Sequence, residues 1–235
     1  MLVGILSGLL RFVMEICMSG LITLRRLLVS DVGDILPKTF NKFESFPILL
    51  ITFLILRLLL VLSTSFLCKH VSPEAAGSGI PEMKYVLGGD IANSPDKYLS
   101  LSVLIVKYFG NILAVGAGLS IGSEGPLVHI SSCVTNLIMN YTEYFDEIFY
   151  SATLKREVLT AAVAIGVSTT FNAPVGGVLF AVEVTATYFL LSNYWKVFIA
   201  AIVSAITFTI LNYIRFERLF ANSPSFAFFI LSSIF

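Results

Sequence analysis

Charge is scarce in this 235-residue chain. Lys, Arg, Asp and Glu make up 13% of it, and the fifteen basic and fifteen acidic residues leave a net charge of zero. An average soluble domain is about 25% charged. The basic residues stand singly or in pairs, so there is no positive face on which a nucleic-acid backbone could lie. Cysteine is rare too: Cys17, Cys68 and Cys133 are far apart in apolar surroundings, which fits neither a zinc-ligand spacing nor a disulfide framework. They read as packing residues, and no metal or organic cofactor is expected. HExxH, GxSxG, a Cys/His nucleophile pair and a P-loop are all missing, so the chain does not read as an enzyme. Residues 1–10 lack a basic leader and a small-residue cleavage motif, and no cleaved targeting signal is expected.

What fills the chain is apolar. The hydrophobic fraction is 57% and the mean hydropathy is +0.90, which places it in a bilayer, with lipid as its first partner. A membrane helix needs about 20 mostly apolar residues. Leu2 to Leu24, Pro47 to Cys68, Leu101 to Ile121 and Val197 to Ile214 meet that requirement. Pro126 to Met139, Val158 to Phe171 and Val175 to Leu191 are shorter and interrupted by Gly, Pro and polar residues, and none is expected to cross alone. Broken helices at membrane depth survive where protein or a water-filled path satisfies their backbone, so these pieces predict a transport path in an all-α, multi-pass membrane unit. The apolar run 226–235 ends the sequence without a hydrophilic segment behind it, and a longer natural chain is expected.

Ionisable residues inside spans are costly and need partners or water. Arg11 and Glu15, four apart, predict a neutralising pair on one helical face. Arg57 and Lys107 lack a carboxylate at helical spacing, and packing or snorkelling is expected of each. His70 and His129 read as hydrogen-bonded structural histidines. Asn140–Tyr141–Thr142 forms a glycosylation sequon that carries meaning only in an extracytoplasmic loop.

Three glycine-proline signatures interrupt the apolar pattern. Gly77-Ser78-Gly79-Ile80-Pro81-Glu82 precedes a short helical stretch. Proline suits the first helical turn, and glycines beside a helix start expose N–H groups that, with the positive dipole end, attract anions. Ser78 adds a hydroxyl donor. Gly122-Ser123-Glu124-Gly125-Pro126 repeats the pattern with a carboxylate among the donors. Such a glutamate reads in two ways: a tethered anion that gates the site, or an ordinary capping residue. Phe171-Asn172-Ala173-Pro174-Val175-Gly176-Gly177 is the third; Asn172 is expected to cap the next helix and the two glycines to admit a neighbour. Three helix starts of this kind at membrane depth together favour an anion path.

GSGIPE at 77–82, GxEGP at 122–126 and FNAPVGGVLFAVE at 171–183 make the sequence resemble the CLC family of chloride channels and chloride/proton exchangers. The likeness is strongest to the animal plasma-membrane branch, through EVTATYF at 183–189 and NYW at 193–195. It extends over residues 1–220, as the first inverted-repeat half of a CLC membrane domain with tilted, broken helices, and leaves 221–235 an unassigned apolar tail. It implies that Gly77, Ser78, Gly79, Ile80 and Pro81, with Ser123, Glu124, Gly125 and Pro126, form chloride sites. It further implies that Glu124 is the gate. Val184 stands where exchangers carry a proton-accepting glutamate, which favours a voltage-gated channel over an exchanger. Ser123 replaces the lysine most members have. The family's second half and its coordinating tyrosine are absent from the sequence, so a non-conducting fragment that associates with full-length subunits is a further alternative. The family also implies a homodimer through Val175–Leu191 and Val197–Tyr213; the plasma membrane is favoured, with an organelle membrane as the alternative. Arg25 and Arg26 after the first apolar run would put the N-terminus outside by the positive-inside rule; the family places it in the cytoplasm, and the family's orientation is adopted.

Overall fold

The computed structural model describes residues 1–35, 42–88, 95–141, 152–185 and 194–221. Their regular elements are all helical: α1 (Leu2–Ile35), α2 (Lys42–His70), a 3-10 turn (Pro73–Ala75), α3 (Ile80–Gly88), α4 (Pro95–Tyr98), α5 (Leu101–Gly116), α6 (Glu124–Tyr141), α7 (Ala152–Phe171), α8 (Pro174–Phe180) running into a π-helical turn (Ala181–Thr185), and α9 (Tyr194–Ala221). Residues 226–235, Thr142 of the sequon and the far end of the Val175–Leu191 run lie outside the described residues. Among the described residues, three helices are long and apolar enough to cross a membrane, over Leu2–Val32, Pro47–His70 and Tyr194–Phe216.

The third apolar run does not make a full span. Helix α5 stops at Gly116, although the run continues to Ile121. Gly118 takes a left-handed φ of +82°, its N–H reaches the Val115 carbonyl at 2.8 Å, and the Leu119 N–H reaches Ala114 at 3.3 Å. That is a Schellman stop, which glycine adopts without a Cβ penalty. Helix α7 departs in the other direction. It begins at Ala152, so the short run from Val158 belongs to a 20-residue helix, about 30 Å long at 1.5 Å per residue.

Small residues set the packing. Helix α1 carries Gly4 and Gly8 against α9: a methyl group on Gly4 would stand 2.7 Å from the Ala200 carbonyl oxygen, and one on Gly8 3.0 Å from that of Ser204. The G-x-x-x-G spacing brings two backbones together in the manner of membrane helix pairs. Gly166 of α7 does the same on α6, 2.7 Å from the Val128 Cα by the same measure. Hydroxyls reinforce these crossings: Ser168 donates to the Ala201 carbonyl at 2.9 Å, and Ser131 to that of Ala162 at 2.7 Å. The main core joins Met83, Leu99, Val103, Val128, Leu159, Val163 and Val178, while a second cluster seats Met14 of α1 against Tyr108, Ile112, Leu127 and Ile130. Leu50, Leu54, Leu58 and Leu62 of α2 are exposed, a face suited to lipid.

Two charges of α1, Arg25 and Arg11, are placed differently from expectation. Arg25 is not a flanking loop charge, because α1 continues past it to Ile35; its guanidinium donates to the Ala117 carbonyl, and to that of Gly116 at 3.1 Å. It therefore covers the C-terminal carbonyls of α5, where positive charge is favourable, and the positive-inside argument built on it loses its footing. Arg11 and Glu15 share α1 but form no contact ion pair; the Arg11 guanidinium instead lies 5.7 Å from the centre of the Phe208 ring. Arg57 stacks on Phe53 at 4.2 Å, in keeping with a packing role. Cys133 is fully buried, but Cys17 faces outward.

Candidate functional site

The first signature is a loop whose backbone is turned by glycine and held by a lysine. Gly77 and Gly79 have φ of +85° and +99°, values that side-chain-bearing residues rarely adopt. Lys107 of α5, 5% exposed, donates from Nζ to the Ala75 carbonyl at 3.0 Å and the Gly77 carbonyl at 2.8 Å. It is neither snorkelling nor merely packed. Its ammonium pins the carbonyls of the loop, which fixes the peptide planes around Ser78. The 3-10 turn before the loop is tied to α4 by Lys97 and Glu74, 2.9 Å apart; the Lys97 hydrogen bond holds the Glu74 carboxyl below its ordinary range. Ser78 is exposed and its Oγ accepts the Ile80 N–H at 3.4 Å, so the hydroxyl hydrogen remains available to an outside acceptor. Pro81 follows in the first turn of α3.

The second signature begins α6. Glu124 is its first residue, and the Leu127 N–H returns to the Ser123 carbonyl at 3.0 Å. The N–H groups at the start of a helix have no intrahelical acceptor. The half-buried Glu124 side chain folds back over Gly122, its carboxylate occupying the space a side chain at 122 would need.

These two loops meet. A methyl group on buried Gly125 would stand 2.6 Å from the Ser78 carbonyl oxygen and 2.9 Å from the Ser78 Cβ; one on Gly79 would stand 3.1 Å from the Gly125 carbonyl oxygen and 2.6 Å from the His129 Cβ. Thus Ser78, Gly79, Gly125 and His129 form one junction, with the α3 and α6 starts side by side and Glu124 at its edge. His129 is fully buried and its Nε2 pairs with the Tyr98 carbonyl at 2.9 Å. Since a carbonyl only accepts, Nε2 carries the hydrogen, and the histidine is a structural tie. His70 rests against Phe66 with ring centres 4.5 Å apart.

The third signature differs from its expected role. Asn172 does not cap α8: it has φ +52°, the Ala173 N–H reaches back to the Ser168 carbonyl at 3.3 Å, and the side-chain oxygen of Asn172 accepts from Thr209 at 3.1 Å. It ends α7 as a left-handed Schellman residue, a place asparagine tolerates. Gly177 makes the close approach expected, 2.6 Å from the Ala164 carbonyl oxygen for an added methyl, whereas one on Gly176 would meet only the Ala173 Cβ, at 3.7 Å. Val184 lies in the π-helical turn, which packs against α3; such turns often accompany functional positions.

The model of the voltage gated chloride channel family matches residues 60–235. The chain belongs to this family, the CLC chloride channels. Among its relatives, human chloride channel protein 2 is 36% identical over 210 residues, covering 89% of this chain and 22% of the relative. Chloride channel protein 1 of Rattus norvegicus is 33% identical over 210 residues, with 89% and 20% covered. Chloride channel protein 2 of Drosophila melanogaster is 38% identical over 214 residues, with 89% and 16% covered. The chain thus spans about a fifth of the length of these relatives. The crystal structure of a eukaryotic CLC transporter superposes with a TM-score of 0.78 at 32% identity, over 89% of this chain and 36% of that one. A slow cyanobacterial chloride/proton antiporter shares the fold, with a TM-score of 0.70 at 21% identity over 89% of this chain and 45% of that one. The all-α architecture is that of part of a CLC protein, and the chain is a multi-pass membrane protein of a chloride-transporting family, not an enzyme family.

Sequence reading missed Lys107 as a loop anchor and Arg25 as a helix cap. The available signal was a cation in mid-helix without a carboxylate at helical spacing, which in a membrane points to carbonyl partners elsewhere in the chain.

Proposed function

We propose that this chain is the N-terminal half of the membrane domain of a voltage-gated chloride channel subunit, and that chloride passes the junction of Ser78 and Gly125 under the control of Glu124. The observation that carries this reading is the convergence of two glycine-proline helix starts, one bearing an outward hydroxyl and the other a carboxylate. Oriented N–H groups and a hydroxyl replace water around a small anion, and a tethered carboxylate of the same charge competes for the same donors. Ser78, with Gly77, Gly79, Ile80 and Pro81, serves the central chloride site; Ser123, Glu124, Gly125 and Pro126 serve the outer one. Valine at 184 holds no proton, which favours a channel over an exchanger. The chain spans about a fifth of the length of its relatives, which supports a chain that works with a second half or a full-length partner.

A homodimer through Val175–Leu191 and Val197–Tyr213 belongs to the same proposal, as does residence in the plasma membrane. Exposed Val175, Leu179, Ile199, Ile206, Ile210 and Tyr213 supply an apolar surface for that contact.

Ser78→Ala tests the site. A hydrogen bond to a charged group contributes about 1.5–3 kcal/mol, so a channel joining this chain to a second CLC half should change chloride conductance or anion selectivity on losing it. Ser132 is the control, because its fully buried hydroxyl donates within α6 to the Val128 carbonyl at 2.8 Å. Equal and negligible effects of Ser78→Ala and Ser132→Ala would remove Ser78 from the path.

A further inference from the structure

Two arginines meet just past the end of α5 with too little negative charge to balance them. A methyl group on Gly118 would stand 2.7 Å from Arg25 Nη1 and 2.8 Å from Arg57 Nη2. Guanidinium groups from α1 and α2 thus converge on one point, which the lack of a side chain at 118 keeps open. Both also lie over the ring of Phe53, with their central carbons 5.3 Å (Arg25) and 4.2 Å (Arg57) from its centre.

Like charges so placed repel, the more so where water is scarce. The aromatic ring attracts a cation through its quadrupole but carries no net charge. The last carbonyls of α5 accept from Arg25 Nη1, yet a helix end amounts to about half an elementary charge, against two full ones here. Among the described residues Arg57 makes no hydrogen bond or ion pair, Nη2 of Arg25 makes none either, and Nε of each is buried without an acceptor. The carboxylates closest in the chain are placed elsewhere: Asp31, six residues beyond Arg25 on α1, is exposed and contacts neither arginine, and Glu124 folds over Gly122. Arg26, exposed beside Arg25 in the chain, adds a further positive charge.

A guanidinium stays charged in a protein, and a charge at membrane depth needs an opposite one. We propose that Arg25 and Arg57 form an anion site over Gly118, built from none of the residues of the Ser78–Gly125 junction, and that its ligand is a phosphate group. A guanidinium presents parallel N–H donors in one plane, a fork that matches the oxygens of phosphate. The surroundings suit the headgroup of a phospholipid. The apolar run Leu2 to Leu24, about one bilayer crossing long, ends at Arg25, and Leu119 and Ile121 on the loop after Gly118 are exposed, a surface for acyl chains. Dissolved phosphate offers the same chemistry without the chains.

Thermal unfolding of the purified 235-residue chain in detergent tests the site at constant ionic strength. The probes are dioctanoyl phosphatidic acid, dioctanoylglycerol, which has the same chains and no phosphate, and inorganic phosphate. At about ten times its titration midpoint, phosphatidic acid should raise the melting temperature of the unsubstituted chain by roughly 3–6 °C, and dioctanoylglycerol should not. Arg57→Gln should lose most of that shift, while Arg26→Gln keeps it. A shift with phosphatidic acid alone supports a lipid headgroup as the ligand, a shift with inorganic phosphate alone supports the dissolved ion, and a shift with both supports a site that takes either. A shift of equal size in the unsubstituted chain and in Arg57→Gln is the general effect of an excluded salt or of the chains and overturns the proposal, as does the absence of a shift with both phosphate probes. If Arg57→Gln yields no folded protein, Arg57→Lys, which keeps the charge and loses the fork, takes its place under the same criterion.

Discussion

Glu124→Gln, in a subunit that joins this chain to a second CLC half, should raise open probability and flatten its dependence on voltage and external pH. The carboxylate begins α6, folded over Gly122 at the edge of the Ser78–Gly125 junction. A negative group at a helix start is held by the same donors that would hold chloride, so removing its charge removes the competitor without moving any other residue. Protonation of the native side chain by external acid should act in the same direction. Moving one charge through the whole membrane potential is worth about 2.3 kcal/mol per 100 mV, a change of roughly fiftyfold in the open-to-closed ratio; a partial traverse gives less. A carboxylate that only caps the helix predicts another result, a stability loss of about 0.3–1 kcal/mol with gating unchanged. Single-channel recording separates the two. Normal voltage and pH dependence in well-expressed Glu124→Gln would end the gating role.

Gly79→Ala should be the most damaging single-methyl change at the junction. The residue is buried at φ +99°, and the added carbon would stand 2.6 Å from the His129 Cβ and 3.1 Å from the Gly125 carbonyl oxygen. The left-handed conformation costs a side-chain-bearing residue roughly 1–2 kcal/mol. Forcing an extra carbon into a packed site costs roughly 1–3 kcal/mol more. Neither neighbour yields cheaply, since one is backbone and the other is the root of a side chain tied to Tyr98. Helix starts α3 and α6 would have to separate, which disturbs the anion donors together with stability. Gly88→Ala is the control, because nothing lies within 4 Å of a methyl group there. Gly79→Ala should lower the melting temperature in detergent and abolish chloride conduction in the joined subunit, while Gly88→Ala changes neither. Equal melting of the two variants would contradict the close packing described for the junction.

The membrane class was legible because it depends on length and hydropathy: the runs at Leu2, Pro47 and Val197 all became long helices. The glycine-proline motifs were legible for a related reason. Proline at a helix start and glycine at positive φ are local requirements of the backbone, and both appear at Gly77, Gly79 and Pro81. What escaped reading was non-local. Hydropathy continued from Leu101 to Ile121 across the stop at Gly118, because leucine and isoleucine are as apolar in a loop at membrane depth as in a helix. Arg25 looked like a flanking charge for the same reason in reverse, since an arginine that finds carbonyls on another helix does not end its own. Asn172 has the composition of a helix cap, and only its position after α7 and its Thr209 partner show that it terminates one helix instead of opening the next. The meeting of Ser78 with Gly125 joins residues 47 positions apart. No period or spacing announces such a pair; it follows from the packing of α3 against α6 and from the hold of Lys107 on the loop before α3.

The most direct test of the account is chloride flux, with proton movement followed at the same time, from liposomes containing either this chain alone or the chain joined to a second CLC half. The account predicts little or no flux from the chain alone, since it spans only about a fifth of the length of its relatives, and chloride flux without a fixed proton stoichiometry from the joined protein. Robust chloride flux from the chain alone, or strictly proton-coupled exchange by the joined protein with Val184 in place, would contradict it.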